Sequence, residues 1–425
     1  MCITKIIAKF KIPIQEILIA RNLIDGAADL LFNLHIKKQK ILLVTDQNIY
    51  PIAQRIINQL SCQSLVLQSP KADEKTVLEI IDYAQSYDLI VAVGSGVIND
   101  LCKVASYRLK IPYIIFGTAP SMNGYASANA SITVEGSPCL RGKSLPINFL
   151  WQTMGGHGYK TSIPAHLPTA IYLDLDVLEN APLRLIKSGI GDSLCFSTCQ
   201  FDWLLSHLIL DTHYNLAPFD LLQTHYQKLL AANSINDQNF IQTLAETLII
   251  SGLGMYICGG SYPASQAEHL IAHYIEILYP KIAQNTYHGE QIAVCTLSVA
   301  DLQEKILQQE NLQIRTTNFN QNDLKKIFDK NLAEHFFSEI NKKAIDDKLA
   351  QKINQNLQTN WHTIKAELQK TFISKNDLLK SYKKFALPEK CGDIGFDQKI
   401  YNQALTNSNL IRDRFTSLDL IKIII

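Results

Sequence analysis

Four residues pose the chemical question: Asp192, His269, His273 and His288. The stretch SQAEHLIAHY at 265–274 sets His269 and His273 four apart. On a helix, that spacing brings both side chains to one face, roughly 6 Å apart. Such a pair is a metal clamp, a catalytic pair or two packed core histidines, and the stretch alone does not choose between them. The zinc-protease pattern carries Glu directly after its first His; here Glu268 comes before it, so that motif is absent. KSGIGDSL at 187–194 sets Asp192 behind two glycines and ahead of a long helix, which is also where an N-cap aspartate stands. TYHGEQIA at 286–293 sets His288 at another loop-to-helix start. One Asp and two His are a usual ligand set for a divalent ion with open coordination positions. Their separations of 77 and 19 residues do not by themselves bring them together.

Two other stretches have the chemistry of a nucleotide site. In VAVGSGVINDL at 91–101 an apolar strand runs into Gly94-Ser95-Gly96, and a helix follows with Val97, Ile98, Leu101, Val104 and Ala105 on its inner face. Glycines let a phosphate approach the backbone, and a helix N-terminus presents free N–H groups and positive dipole. Asn99-Asp100 follows, so this is not GxGxxG, and an ordinary tight βα turn is the plainer alternative. GTAPSMNGYAS at 117–127 is a second loop at a strand end, rich in hydroxyls and small residues. Ligands gather outside the carboxyl ends of parallel strands, so the two loops together weigh more than either alone. Asp46, at the end of the first strand, serves either an adenosine ribose or a turn.

The elements that must position these groups have two rhythms. KILLVTD (40–46), DLIVAVGSG (88–96), IPYIIFGTAP (111–120) and TAIYLDLD (169–176) read as strands, with amphipathic stretches at 50–60 and 73–86 between some of them. That repetition predicts a mainly parallel sheet with helices on its faces. After residue 176 the segments 181–210, 217–233, 239–258, 264–279, 289–308, 322–329 and 342–370 read as helices. The expected organisation is an α/β domain at 1–176 and an all-helical domain at 177–425. LRGKSLP (140–146) is echoed by GYKTSIP (158–164). This marks an insertion or local duplication near 140–160, read as a surface loop, with a hairpin or flap as the alternative.

Bulk composition narrows the class. The 425 residues are 47% hydrophobic and 19% charged, with net charge +1. No overall field favours nucleic acid or an acidic membrane. The lysines at 37, 38 and 40 and at 380, 383 and 384 read as solvated faces. Nine cysteines without CxxC pairing, no visible secretory leader and no apolar run near the roughly 20 residues of a membrane span point to a cytoplasmic protein with free thiols. The terminal LIKIII reads as a buried or partner-facing end.

In their order along the chain, GSGVIND, TAPSMNGYAS, SGIGD, PASQAEHLIAH and HGEQIA resemble the sn-glycerol-1-phosphate dehydrogenase branch of the iron-containing alcohol dehydrogenase and dehydroquinate synthase superfamily. IRDRFTSLDL (411–420) resembles the end of that branch. The likeness runs from about residue 40 to the C-terminus, interrupted by the insertion. It implies a Rossmann-like nucleotide-binding domain followed by a helical metal-binding domain, and metal-dependent reduction of dihydroxyacetone phosphate by NAD or NADP in reduced form. Carried over by motif, Gly94, Gly96, Val97, Ile98, Asn99, Asp100, Thr118, Ala119, Pro120, Ser121 and Ser127 contact the dinucleotide. Asp192, His269 and His288 hold the metal, with Zn²⁺ the first expectation and Ni²⁺ or Fe²⁺ fitting the same ligands. His273 contacts substrate and relays a proton, and Asp192 touches substrate as well. The expected partners are a small phosphorylated substrate and further copies of the chain, with no nucleic acid.

Asn123 departs from the family pattern, which commonly has Asp at this substrate-contacting position. Asn keeps the shape and a donor but loses the charge, which leaves room for another polyol or alcohol as substrate. A dehydroquinate synthase-like lyase is the second alternative. It needs basic residues before the first ligand histidine, where SYPASQAE has none. A nucleotide-binding protein without turnover is the third, and an intact Asp192, His269 and His288 argue against it.

Overall fold

The computed structural model describes residues 2–34, 40–134 and 159–425. Among them are eight strands: β1 (Glu16–Ala20), β2 (Ile41–Asp46), β3 (Gln63–Leu67), β4 (Leu89–Gly94), β5 (Tyr113–Gly117), β6 (Asn129–Val134), β7 (Tyr159–Pro164) and β8 (Ala170–Asp174). Six of them form one parallel sheet in the order β1-β8-β5-β4-β2-β3. The four strands read from sequence are its central ones. β4, β5 and β8 are buried along their whole length, as parallel strands covered on both faces must be. β1 and β3, not expected from the sequence, are the two edges.

Helices Tyr50–Leu60 and Glu74–Ala84 connect these strands as expected. The first buries Ala53 and Ile56 in a core with Leu43, Val91, Val93, Phe116 and Tyr172. The second is capped by Asp73, whose Oδ1 accepts the Thr76 amide at 2.9 Å. From β2 the chain steps to β3 on one side and then to β4 on the other. The carboxyl ends of β2 and β4 therefore flank the topological switch point, where open α/β sheets bind ligands.

The chain divides into two compact units. One comprises Met1–Val134, Lys160–Ser193 and Ala217–Ser261; the other comprises Glu135–Tyr159, Leu194–Leu216 and Tyr262–Ile425. The sheet unit thus includes helices Leu183–Leu194, up to Ser193, Ala217–Ala231 and Phe240–Ile257. The last of these is long and apolar enough to cross a membrane by composition, a property not anticipated from the sequence. Most of it is buried within the protein, packed on helix Ala217–Ala231 and on the turn Gly124–Ala126. Gly252 makes the latter approach possible: a Cβ there would stand 2.4 Å from the carbonyl oxygen of Asn123.

The second unit is helical. Helices Ala267–Leu278 and His288–Leu307 share a core with Leu332, Phe336 and Tyr401. Helix Asp347–Gln369 packs Leu357, Trp361 and Leu368 with Phe201, Leu205 and the C-terminal Leu420 and Ile423. The greasy end is thus largely internal: Ile424 bridges Ile314, and Ile425 is exposed. Lys380, Lys383 and Lys384 lie on an exposed helix face, whereas Lys37 and Lys38 lie outside the described residues. So do 140–146 and most of the insertion, although 159–164 of the second echo form β7, which pairs with β6. The eight described cysteines are all free.

Gly252→Ala should lower stability by about 1–3 kcal/mol, the cost of forcing a close-packed contact apart. Urea denaturation followed by circular dichroism measures this; an unchanged midpoint would mean that loop and helix are not locked together.

Candidate functional site

In the sheet unit the two loops leave neighbouring strands side by side. Gly94 and Gly117 are partners in the β4–β5 register, and the Thr118 amide donates to Gly94 O at 3.1 Å. Both glycines are demanded by packing: a Cβ on Gly94 would meet Ile98 at 2.6 Å, and one on Gly117 would meet Leu173 at 2.4 Å. Helix Gly96–Leu109 starts directly after Ser95, whose side chain makes no cap bond. Val97 is exposed, and Ile98 and Asn99 are buried. Of the predicted dinucleotide contacts, Gly96 and Val97 are therefore accessible. Asn99 and Asp100 are turned to internal work. Asp100 Oδ1 accepts from Asn99 Nδ2 at 3.0 Å, and its Oδ2 accepts the Ser131 amide at 2.9 Å.

Thr118, Ala119, Pro120, Ser121 and Ser127 are buried. Tyr125 donates its hydroxyl to Ala119 O at 2.9 Å, and Ser188 Oγ donates to Ser121 O at 3.3 Å. Gly189, in the SGIGD motif, leaves room for the Pro120 carbonyl, since a Cβ there would lie 1.8 Å from that oxygen. Asp46 acts as the turn residue, its Oδ1 accepting the Asn48 amide at 2.8 Å and the Ile49 amide at 3.3 Å.

Asp192 is no N-cap, contrary to the simplest sequence reading. It lies in the last turn of helix Leu183–Leu194, buried, and its Oδ2 accepts the Asn123 amide at 3.1 Å. Gly189 before it serves loop packing, and the helix runs through both glycines. Asn123 Nδ2 donates to Ser251 Oγ at 3.3 Å. The sheet unit thus gathers Asp192, Asn123 and both loops.

The helical unit gathers the three histidines. His269 and His273 lie on helix Ala267–Leu278, and His288 is the first residue of helix His288–Leu307. Their ring centroids form a near-equilateral triangle: 6.0 Å for 269–273, 5.1 Å for 269–288 and 6.1 Å for 273–288. His269 and His288 offer ligand atoms within 4.8 Å of each other. Sequence reasoning did not find the carboxylates behind them. Glu268 Oε1 lies 2.8 Å from His269 Nδ1, and Glu276 Oε2 lies 2.9 Å from His273 Nδ1. A carboxylate accepts only, so each Nδ1 carries a proton, and in the neutral form of either ring Nε2 is the nitrogen with the lone pair. The sequence signal was present as Glu at −1 and at +3.

Glu268 is fully buried and also accepts the Gln266 amide at 2.8 Å, the Cys199 thiol at 3.0 Å and the Thr198 hydroxyl at 3.1 Å. Burial alone would raise its pKa. The His269 imidazole and these donors outweigh burial and bring it down to about 2. Burial pushes the Cys199 thiol far up, so this cysteine acts as a protonated donor to Glu268. Burial holds His273 below the ordinary histidine value, and Glu276 pulls it part of the way back.

The fold has solved relatives. A probable glycerol dehydrogenase from Sinorhizobium meliloti 1021 superposes with a TM-score of 0.58 at 16% identity, covering 93% of this chain and 88% of that one. This is the iron-containing alcohol dehydrogenase and dehydroquinate synthase-like class of fold. The family described as "Iron-containing alcohol dehydrogenase" matches residues 18–153. A glycerol-1-phosphate dehydrogenase [NAD(P)+] from Pyrococcus furiosus is 30% identical over 299 residues, 68% of this chain and 78% of that protein. One from Halalkalibacterium halodurans is 30% identical over 314 residues, 68% and 71% of the two chains. The chain belongs to the iron-containing alcohol dehydrogenase family, in its glycerol-1-phosphate dehydrogenase branch, and is an NAD(P)-dependent oxidoreductase acting on CH–OH groups.

Lys103 secures the loop that carries Asn123. Fully buried, its Nζ donates to Gly124 O at 2.6 Å and Asn129 O at 3.1 Å, with Asp100 Oδ1 at 3.8 Å. Burial presses its pKa down to about 8. Between that value and the unfolded one, the unfolded chain binds the proton the folded chain has shed, so stability must rise with pH across this window. Lys103→Met should cost about 1–3 kcal/mol at pH 7.5 by leaving two carbonyls without their donor, and should remove this rise. Paired urea titrations at pH 7.5 and 10 read both effects; an identical pH slope in the variant would assign the rise to another group.

Proposed function

We propose that this enzyme reduces dihydroxyacetone phosphate to sn-glycerol 1-phosphate with NADH or NADPH, using a divalent metal held by Asp192, His269 and His288. The observation that carries the reading is the histidine triangle, in which His269 and His273 are fixed by carboxylates in the same tautomer yet play into different surroundings. The donor chemistry suits a cation of borderline softness: two closely set imidazoles and a buried carboxylate. Asp192 stands two residues before the chain enters the helical unit at Leu194. When bound, the metal supplies Lewis acidity to a ketone oxygen and the nicotinamide supplies hydride.

The protein's own groups do the rest. Gly96 and the start of its helix offer backbone N–H groups and positive dipole to a pyrophosphate. Glu268 holds the His269 ring and its tautomer, the usual task of a carboxylate behind a ligand imidazole. His273, oriented by Glu276 through Nδ1 and partly open to solvent, is suited to take up a proton from water at Nε2 and pass it to the substrate oxygen after hydride transfer. Asn123 offers an amide to the substrate while its backbone N–H is held by Asp192. Asn123 also favours a second reading, reduction of a different small ketone, because it presents an uncharged amide where the family pattern commonly has a substrate-contacting aspartate.

Purified protein is expected to carry about one divalent metal per chain and to oxidise NAD(P)H with dihydroxyacetone phosphate. A substrate screen following NAD(P)H absorbance, with and without added Zn²⁺ or Ni²⁺, tests this. Metal-loaded protein that binds NADH but turns over no ketone phosphate would sink the assignment.

The two histidines separate by metal content. His269→Ala should abolish metal binding, whereas His273→Ala should keep the metal and lose about 10²–10⁴-fold in turnover. Equal metal loss in both variants would overturn the division of roles.

A further inference from the structure

The motif IRDRFTSLDL holds two arginines whose situations differ. Arg414 is engaged: its guanidinium stacks over the Tyr262 ring at 4.5 Å and donates to Ser265 O. Arg412, two residues earlier, forms no hydrogen bond or ion pair among the described residues. It is nevertheless only partly exposed. The carboxylates whose charge is felt at its guanidinium are Asp413 and Glu339, and Glu339 is taken by Lys342 at 2.5 Å.

The backbone around Arg412 is held at both ends. Lys343, itself buried, donates to Asn409 O at 2.7 Å and Arg414 O at 2.8 Å and pairs with Asp419 at 2.8 Å. Asn409 Nδ2 donates to the same Asp419 carboxylate at 3.0 Å. Arg412 is the cation within this bracket that makes no hydrogen bond or ion pair with a protein carboxylate among the described residues. The turn Ser408–Ile411 just before it packs against two helices: Ala267–Leu278, which carries His269 and His273, and Lys330–Ile340, which carries His335. The charge of Arg412 is felt on both, lowering the proton affinity of His273 and of His335. A guanidinium fork matches a phosphate bidentately and stays charged when partly desolvated. A partly buried guanidinium without such a contact, just after a turn packed on the helix of the substrate histidine, is a site prepared for an anion.

We propose that Arg412 binds the phosphate of the substrate, a phosphate monoester dianion, and so selects phosphorylated over plain ketones. This rests on the reading that the substrate is a phosphorylated ketone. Arg414 and Lys343 are positioning residues, fixing the segment from which Arg412 reaches. The coenzyme's 2′-phosphate is the other source of the same chemistry, and the test separates the two.

Wild type, Arg412→Ala and Arg412→Lys are compared with dihydroxyacetone phosphate and dihydroxyacetone, each with NADH and NADPH, and titrated with inorganic phosphate by calorimetry. Metal content and thermal melting establish that the variants are folded. Arg412→Ala should raise KM for dihydroxyacetone phosphate about 10- to 100-fold, the span of a charged hydrogen-bonded contact. Its preference for that ketone over dihydroxyacetone should fall by a similar factor, with Arg412→Lys between. Inorganic phosphate binding should disappear in the alanine variant, and the NADPH-to-NADH ratio of KM should stay put. An unchanged ketone preference in folded, metal-loaded Arg412→Ala overturns the proposal. So does a selective loss with NADPH, which would assign the arginine to the coenzyme. Wild type that shows no preference for the phosphorylated ketone refutes the substrate reading instead. In that event the calorimetry alone decides on the anion site: binding lost with the arginine upholds it, and binding retained removes it.

Discussion

A single carboxylate, Asp202, holds the helical unit in register. It is completely buried on helix Phe196–Leu210 and accepts from four donors. These are the amide of Ala267 at 3.3 Å, the amide and hydroxyl of Ser417 at 3.1 and 3.3 Å, and Gln303 Nε2 at 3.1 Å. Ala267 opens the helix of His269 and His273, Ser417 opens the C-terminal helix, and Gln303 lies on the helix begun by His288. Two helix N-termini thus point at one anion, which their dipoles favour. Burial and the nearby Glu268 push Asp202 up to about 7, against the pull of these donors. The helices that carry His269, His273 and His288, and the helix that opens within the arginine motif, are all tied to this one group.

Glu268 repeats the logic one layer nearer the chemistry. Both carboxylates are buried, both collect backbone and side-chain donors, and the charge of Glu268 raises the pKa of Asp202. The difference lies in the imidazole: Glu268 meets His269 and stays ionised, whereas Asp202 meets only neutral donors. Ionisation at Glu268 holds the Nδ1 proton of His269 and leaves the opposite nitrogen free to ligate. The His269–His273 pair looked symmetric in the sequence, and the symmetry breaks at these second carboxylates. Glu268 sits in a sealed pocket with a thiol and two further donors; Glu276 braces a histidine that is partly open to solvent.

How much of this was legible follows from where signals originate. β2, β4, β5 and β8 are central in a covered sheet, so they appear as continuous apolar runs. β1 and β3 are edges with largely intermediate exposure, and their mixed composition hides them. Helix Phe240–Ile257 could be read as a helix, but its apolar length gave no hint that a glycine in it admits a loop carbonyl. The histidines were legible by type and spacing. The carboxylates behind them were not, because Glu268 stood in the wrong place for the zinc-protease pattern, and only a folded helix shows that −1 can reach Nδ1. Arg412 was visible as part of a motif, yet its significance is a missing partner, which no sequence displays.

The paired strands β6 and β7 have a consequence for how this chain can change. The Ala165 amide donates to Ala128 O at 2.8 Å, so the two strands leave and rejoin the sheet unit at one base. Loop closure between strands fixed at one base costs only the logarithm of the connection's length. A longer or shorter connection at this base is expected to leave the sheet, its glycine loops and Asp192 in place. The position is a graft point, where new recognition can be added without rebuilding the dehydrogenase beneath it.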